Sequence, residues 1–332
     1  MLLSICIPTY KREECLNNCL NSILKASKNI NFDFEICVSD NCSGFATEKV
    51  VLSYKNYLNI KFSKNSDNLG FGVNTLKSVS MAQGEFVWIL GNDDLLVPYA
   101  LQKIGDLLKS NENIDFFYIN SFHLSSNYVF KYTQPFDTNN LPQDMDKFSM
   151  KQNSETINFF DLINPKISFD FLLGIYLSVF KRKKWVDNLH VIDQELIKDT
   201  RTWSTQDNTF PHIKIFAAAF ANSKAYFYAQ PLSVNLYGER EWDNLYPFVE
   251  IIRIPECLDT YRKNGLKLTS YLYCKNFALR NFTNYIVKII LNRKKGGLEY
   301  ISFNKHILKN IFYPNIYLSI IYFLFRKIFK KN

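Results

Sequence analysis

The sequence predicts an α/β fold: a Rossmann-like, mostly parallel sheet flanked by helices, followed by a C-terminal helical extension. Three observations predict it. Apolar, β-branched runs alternate with helix-periodic segments over the first 120 residues. Several of those runs are apolar throughout, as strands covered on both faces require. Beyond about residue 244 the pattern is helical to the end. In such sheets ligands bind outside the carboxyl ends of the strands, so chemistry is expected there.

The elements follow in order. "LLSICIP" (2–8) reads as the first strand, and Cys15, Leu16, Cys19, Leu20, Ile23 and Leu24 then recur at the three- and four-residue spacing of a helix. "FEICVSD" (34–40) is the second strand, 48–57 a helix, and "IKFSKN" (60–65) a third, shorter strand. "NLGFGVNTLKSVSMA" (68–82) opens with a glycine-containing turn and becomes helical. "EFVWIL" (85–90) is the fourth strand, 98–108 the next helix, and "IDFFYINSF" (114–122) the fifth strand. Residues 134–160 read as a polar loop. Strand character returns over 167–182, a helix over 182–189, and another strand over 225–235. There is no internal repeat.

Composition bounds the function. The 332 residues are 47% apolar and 16% aromatic, with 11 Gly and 10 Pro, which describes a folded chain with a sizeable core. Length permits two domains, or one domain with an extension. The net charge is +9, yet nine of the 40 Lys/Arg and one of the 31 Asp/Glu fall between Arg293 and Asn332. The basic character therefore belongs to the tail, which argues against a nucleic-acid partner. Cys6, Cys15, Cys19, Cys37, Cys42, Cys257 and Cys274 form no CxxC pair and no zinc spacing, so core packing in a reducing cytoplasm is expected. Pro8 and Lys11 come too early for a secretory signal peptide.

Three strand ends carry polar groups: "IPTYKR", "VSDNCS" and "LGNDDLLVP". The last sets Asp93 and Asp94 side by side after an apolar run, although repulsion and desolvation both oppose keeping such a pair ionised. Either the pair caps the helix that follows, or a cation relieves it. Mg²⁺ or Mn²⁺ between carboxylate and diphosphate oxygens is the chemistry such a pair suits. A GxGxxG after the first strand is missing, which counts against a dinucleotide enzyme.

"SICIPTYKR", "ICVSDNCS", "NLGFGVNTLKSVSMAQGEFVWILGNDDLLVP" and "TQDNTFPHIKIFAAAFANSKAYFYAQPLSV" together resemble successive blocks of family 2 glycosyltransferases of the GT-A fold, in particular the abequosyltransferase-like sugar transferases of bacterial surface polysaccharide assembly. The resemblance covers about residues 1–240, with 134–165 unmatched. It implies a catalytic domain over 1–240, made of a nucleotide-sugar half (1–122) and an acceptor half (165–240), and a helical extension over 241–332. It implies that Pro8, Thr9, Tyr10, Arg12, Asp40 and Asn41 hold the nucleotide of a sugar donor. Asp40 would read the base edge of a uracil or a cytosine. Asn68, Gly70 and Asn74 would line the nucleotide side. Asp94 would hold the divalent cation, with Asn92 and Asp93 supporting the metal or ribose. Gly91 and Asn92 stand where members often carry a further Asp, which puts metal affinity in doubt. Asp207, with Gln206 in place of the usual Glu, would be the general base of an inverting transfer to a saccharide or lipid-linked saccharide. Asp193 and Asp199 are rivals for that role, and Asp207 alternatively caps a helix. His212 reads as structural; Trp185 and Trp203 suit either sugar stacking or packing. A catalytically degenerate adaptor on the same fold is the alternative function.

The tail "NIFYPNIYLSIIYFLFRKIFKKN" (310–332) carries a ten-residue apolar run, 316–325, and ends in Arg326, Lys327, Lys330 and Lys331. Ten residues do not span a bilayer. The pattern suits a helix lying in an anionic membrane interface at the inner face of the cell membrane, or a core helix of the same length.

Overall fold

The computed structural model describes residues 1–238 and 243–329. Among them, one mixed sheet contains β1 (Leu3–Thr9), β2 (Phe34–Asp40), β3 (Ile60–Lys64), β4 (Phe86–Ile89), β5 (Asp94–Leu96), β6 (Phe116–Ser125), β7 (Asp146–Lys147), β8 (Glu155–Asn158), β9 (Ser178–Lys181) and β10 (Lys224–Tyr237). The order is β3-β2-β1-β4-β9-β6-β10-β5, with β7 on β6 and β8 on β10. β3, β2, β1 and β4 are mutually parallel, and β6 and β10 pair in parallel. All seven residues of β1 are buried, the burial a central parallel strand should show.

The helices are α1 (Glu13–Ala26), α2 (Phe45–Tyr54), α3 (Gly70–Ser80), α4 (Ala100–Ser110), α5 (Ser126–Val129), α6 (Arg182–Asp187), α7 (Gln206–Thr209), α8 (Pro211–Ala219), α9 (Tyr246–Phe248), α10 (Ile254–Lys263), α11 (Leu268–Ala278), α12 (Phe282–Asn292) and α13 (Pro314–Phe329). α1 buries Leu16, Cys19, Leu20 and Ile23 as its spacing requires, with Glu13 and Glu14 in its first turn and Lys25 in its last, each favourable to the helix dipole. All seven cysteines are free thiols, and Cys6 and Cys37 sit opposite each other on β1 and β2.

Three expectations need correction. The strand read over 167–182 is confined to β9, which inserts antiparallel between β4 and β6. Ahead of it the chain folds tightly around Asp170, whose carboxylate accepts from the amides of Leu172 and Gly174 while Phe171 (φ 54°) and Leu172 (φ 70°) turn left-handed. Local hydrogen bonding there outcompetes extended pairing. Second, 134–160 is not a plain loop: it contributes β7 and β8 and buries Phe136. Its backbone is held by side-chain amides, Phe136 N–H on Asn18 Oδ1 at 2.7 Å and Ser149 N–H on Asn120 Oδ1 at 2.9 Å. Third, Asp93 and Asp94 do not cap α4: its N-cap is Tyr99, with no side-chain cap, and Asp94 begins β5.

Trp185 is a packing residue, stacked on Phe180 with ring centroids 5.0 Å apart and 1% exposed. The boundary expected at 240/241 lies outside the described residues. The helices beyond it dock on the sheet domain, Tyr261 Oη donating to Phe171 O at 3.0 Å and Arg253 donating to the carbonyls of Trp203 and Ser204. In α13, Ile316 and Ser319 are buried, Ser319 sharing a hydrogen bond with Thr283 of α12, whereas Tyr317, Leu318, Ile320, Ile321, Tyr322, Leu324 and Phe325 are exposed. Among the described residues no single helix is long and apolar enough to cross a membrane. Phe303–Asn310 and Pro314–Arg326, bent by 90°, meet that test only together. Lys330 and Lys331 lie outside the described residues.

Candidate functional site

The carboxyl rim of the parallel strands gathers the candidates. In register, Thr9 at the end of β1 faces Asp40 at the end of β2, which faces Lys64 at the end of β3. Pro8 is buried inside β1, one residue short of the rim, and Tyr10 is exposed just beyond it with Lys11 Nζ 5.1 Å from its ring. Asp40 is fully buried. Its Oδ1 accepts from the amide of Ser43 at 3.1 Å and from the Ser43 hydroxyl. Its Oδ2 is buried and has no hydrogen-bond partner in the protein. A buried carboxylate oxygen left without a donor is costly, and a base N–H arriving at the rim would satisfy it.

The acidic motif is hooked to the same rim. Beyond β4 the amide of Leu90 donates to Cys6 O at 3.0 Å, and Asn92 Nδ2 donates to Thr9 Oγ1 at 2.8 Å. Asp93 pairs with Arg12 Nη1 at 3.0 Å, at the entrance to α1. Asp94 is 1% exposed and accepts from the Gly91 amide on Oδ2 at 2.7 Å and from Asn235 Nδ2 on Oδ1 at 2.9 Å. The protein itself therefore relieves much of the repulsion between the two carboxylates, through Arg12 and two N–H donors. That answer was not legible in the sequence, because Asn235 arrives on β10 from 141 residues away.

The two carboxylates converge on one point. A Cβ at Gly91 would lie 2.7 Å from Asp93 Oδ1 and 2.9 Å from Asp94 Oδ2. Glycine at 91, where a further carboxylate was a possibility, leaves room for both side chains to fold over the backbone. Among the described residues no three His, Cys, Asp or Glu side chains group as a metal site. Two hard oxygens converging at Gly91 nonetheless fit a Mg²⁺ or Mn²⁺ ion that would take its other ligands from a diphosphate and water.

The predicted asparagines brace the rim more than they line it. Asn74 and Asn41 are both 3% exposed. Asn74 donates to Ser39 O at 3.0 Å and accepts from Ser39 Oγ at 2.8 Å, tying α3 to β2. Asn41 donates to Asn68 Oδ1 at 2.7 Å, and the same oxygen accepts from the Gly70 amide at 2.9 Å. Gly70 takes φ 81°, which an L side chain rarely adopts. Asn65, not singled out from sequence, completes this network, its Nδ2 bridging to Asn41 and Asn74 at 3.1 Å each, and Ser43, also missed, binds Asp40.

Asp207 lies on α7, with its backbone carbonyl packed against Gly72 of α3. Its side chain is buried, accepting from Lys214 Nζ at 2.9 and 2.7 Å and from the Asp193 amide at 2.9 Å. It does not cap the following helix, α8, whose N-cap is Phe210 with no side-chain cap. Asp193 accepts from the amides of Glu195 and Leu196, and Asp199 is clasped by Arg201, which holds it far below the ordinary carboxylate range. His212 is a core residue: burial lowers its pKa to about 4, against the opposing influence of the Leu172 and Leu173 carbonyls. Trp203 is half-buried at φ 60°, its carbonyl held by Arg253.

A parallel-stranded nucleotide-type rim continued by antiparallel β9 and β5, with an acidic turn at its centre, defines an α/β protein of GT-A architecture. The solved structure of Staphylococcus aureus TarS 1–349 in complex with UDP superposes at TM-score 0.56 over 85% of this chain and 72% of that one, at 18% identity. The mannosyltransferase PcManGT from Pyrobaculum calidifontis, in complex with GDP-Man and Mn²⁺, superposes at TM-score 0.50 over 99% of this chain and 88% of that one, at 12% identity. At these identities the likeness is one of fold. The chain belongs to glycosyl transferase family 2, whose family model matches residues 4–171. It is 45% identical over 116 residues to the abequosyltransferase RfbV of Salmonella typhimurium, a stretch covering 34% of each chain. It is 36% identical over 98 residues to the poly(ribitol-phosphate) β-N-acetylglucosaminyltransferase TarS of S. aureus, 29% of this chain and 17% of that protein. The matched stretch thus spans about a third or less of these relatives' length.

Proposed function

We propose that the protein is an inverting glycosyltransferase that moves a sugar from a nucleotide-diphosphate donor to a saccharide acceptor, lipid-linked, in bacterial surface polysaccharide synthesis. The observation that carries this reading is the unsatisfied, buried Oδ2 of Asp40 on the same rim as the Asp93–Asp94 turn. One oxygen awaits a base N–H, and the turn beyond awaits a diphosphate. UDP in one solved relative, and GDP-Man with Mn²⁺ in another, support a nucleotide-sugar donor. Asp94, with Asp93 beside it, would hold the divalent cation, which when bound stabilises negative charge on the departing diphosphate.

In the transfer, the acceptor oxygen bonds to the anomeric carbon from the face opposite the diphosphate. The carbon–phosphate oxygen bond breaks, its electron pair leaves with the nucleotide, and the hydroxyl proton passes to Asp207. Lys214 holds both Asp207 oxygens in the structure, so it must yield one of them to the incoming hydroxyl. Nucleotide binding is tested by thermal shift with UDP, CDP and GDP, each with and without Mn²⁺. Metal-dependent stabilisation by one of them, lost in Asp94→Ala, is expected; stabilisation by none sinks the proposal. Transfer follows from a nucleotide-sugar panel, with Asp207→Asn expected to abolish turnover and leave the thermal shift in place.

A second reading, a degenerate adaptor, is favoured by the self-sufficiency of the acidic pair, already held by Arg12, Gly91 and Asn235. It predicts nucleotide binding without donor hydrolysis.

The membrane association proposed for the tail rests on the exposed apolar side chains of α13, in a segment that also carries Lys305, Lys309 and Arg326. It would place the enzyme at the inner face of the cell membrane. Removing everything after 296 is a poor test, because Lys305 and His306 bond the buried Glu256. Leu318→Ser, Ile321→Ser and Phe325→Ser together should abolish sedimentation with phosphatidylglycerol vesicles while the melting temperature holds. Unchanged sedimentation would refute it.

A further inference from the structure

Four residues stand in one row across the sheet. Asp94 on β5 faces Asn235 on β10, Asn235 faces His123 on β6, and His123 faces Asp146 on β7. Registered neighbours share a face of the sheet. Two residues along β10, and so on that face, comes Tyr237, and Phe148 directly follows β7 with its amide donating to Ser121 O at 2.8 Å. His123 stacks on Phe148 with centroids 4.4 Å apart at 22°, and Phe148 stacks on Phe169 at 4.6 Å and 14°. Tyr237 stands edge-on to His123 at 6.4 Å. Phe148 is buried at 8%, but Phe169 is 42% exposed and Tyr237 53% exposed. Asp146 and Lys147 are exposed beside them.

We infer that this aromatic platform, with Phe169 and Tyr237 as its open faces, is a binding site for a pyranose ring of the acceptor. The inference rests on the transferase reading. An aromatic face carries negative quadrupole density, which attracts the C–H face of a pyranose, while hydroxyls at the ring's edge remain free for a carboxylate such as Asp146. Position decides between sugar and nucleobase. Neighbouring strands lie about 4.8 Å apart, so His123 is two strands, roughly 10 Å, from Asp94. Asn92, two residues before Asp94, bonds Thr9, which registers with Asp40, so the acidic turn adjoins the Asp40 row through β1 and the platform through β10. A nucleotide anchored at Asp40 with its diphosphate at Asp94 puts its sugar beyond Asp94, on the platform's side. The acceptor must meet that sugar from there. Trp185, one of the two tryptophans proposed from the sequence, is inside the core.

The test uses the full chain and saturation-transfer NMR with a panel of methyl pyranosides, alongside thermal shift with the nucleotides and Mn²⁺. Expected are contacts from ring C–H protons to the wild type and about tenfold weaker affinity in Phe169→Ala, the scale of one lost stacking partner. Phe169→Trp should restore binding, and Tyr237→Ala, also at an exposed position, should weaken it. All three variants should keep the wild-type nucleotide shift. The inference is overturned if no methyl pyranoside contacts the wild type, if Phe169→Ala binds as tightly as wild type, or if the variants lose nucleotide and sugar together. Failure of the donor reading appears separately, as a wild type that no nucleotide stabilises.

Discussion

Replacing Asp94 by asparagine tests the acidic turn, because the structure separates its structural cost from its chemical one. Asp94 accepts two N–H donors on two different oxygens, from Gly91 at 2.7 Å and Asn235 at 2.9 Å, in a site 1% exposed. Asparagine has one acceptor oxygen, so in either amide orientation one donor meets an NH₂ group. A buried donor without an acceptor costs about 1–3 kcal/mol. Asp94→Asn should therefore lower the melting temperature by a few degrees and remove metal-dependent nucleotide stabilisation. The exchange variant Asp94→Asn/Asn235→Asp restores both hydrogen bonds, since the amide at 94 can accept from Gly91 and donate to the carboxylate at 235. It moves the negative charge one strand away. Differential scanning fluorimetry should show stability recovered to within about 1 kcal/mol of wild type, while nucleotide stabilisation and turnover stay lost. If the exchanged protein recovers activity, the position of the carboxylate is irrelevant and the cation-holding role of Asp94 is wrong. If Asp94→Asn alone keeps wild-type stability, the two hydrogen bonds are not what holds the turn.

Three further outcomes are expected. Glu256→Gln leaves Arg253, 3% exposed, without its carboxylate and should cost about 3–5 kcal/mol in urea denaturation at neutral pH. Burial works against the Glu256 carboxylate, yet His306, Arg253 and Lys305 hold it far below the usual range. Its contribution is thus complete above about pH 4.3 and fades as pH falls further, so the gap between wild type and variant should narrow in acid. His212 has the opposite sign of charge but the same direction: with its pKa lowered to about 4 by burial, the unfolded chain takes up a proton that the native state refuses between about pH 6.5 and 4. Wild-type stability should fall by up to about 3 kcal/mol across that window relative to His212→Gln; parallel pH profiles for the two proteins would rule this out. Gly72→Ala would place a Cβ 3.0 Å from the backbone of Asp207 and Asn208, forcing α3 and α7 apart at a cost of about 1–3 kcal/mol. Transfer should fall with it, whereas Ser80→Ala on the exposed end of the same helix should change neither.

Much of this protein is local, and local order is what a sequence displays. The unbroken apolar runs of β1 and β2, the three-four spacing of α1 and the glycine opening α3 each report a period or a backbone requirement within a few residues. Those runs end in Thr9, Asp40 and the Asp93–Asp94 turn, so the parallel half of the sheet and its polar rim follow from the residues themselves. What pairs with that rim does not. Asn235 on Asp94, Arg12 on Asp93 and Lys214 on Asp207 are chosen by how strands and helices pack. The insertion of β9 between β4 and β6 joins residues with no shared pattern, and the His123–Phe148–Phe169 stack draws one ring from each of three separate segments. Side-chain periodicity carries information only as far as one element extends; which partner satisfies a buried charge, or which rings share a face, is settled by contacts between elements far apart in the chain.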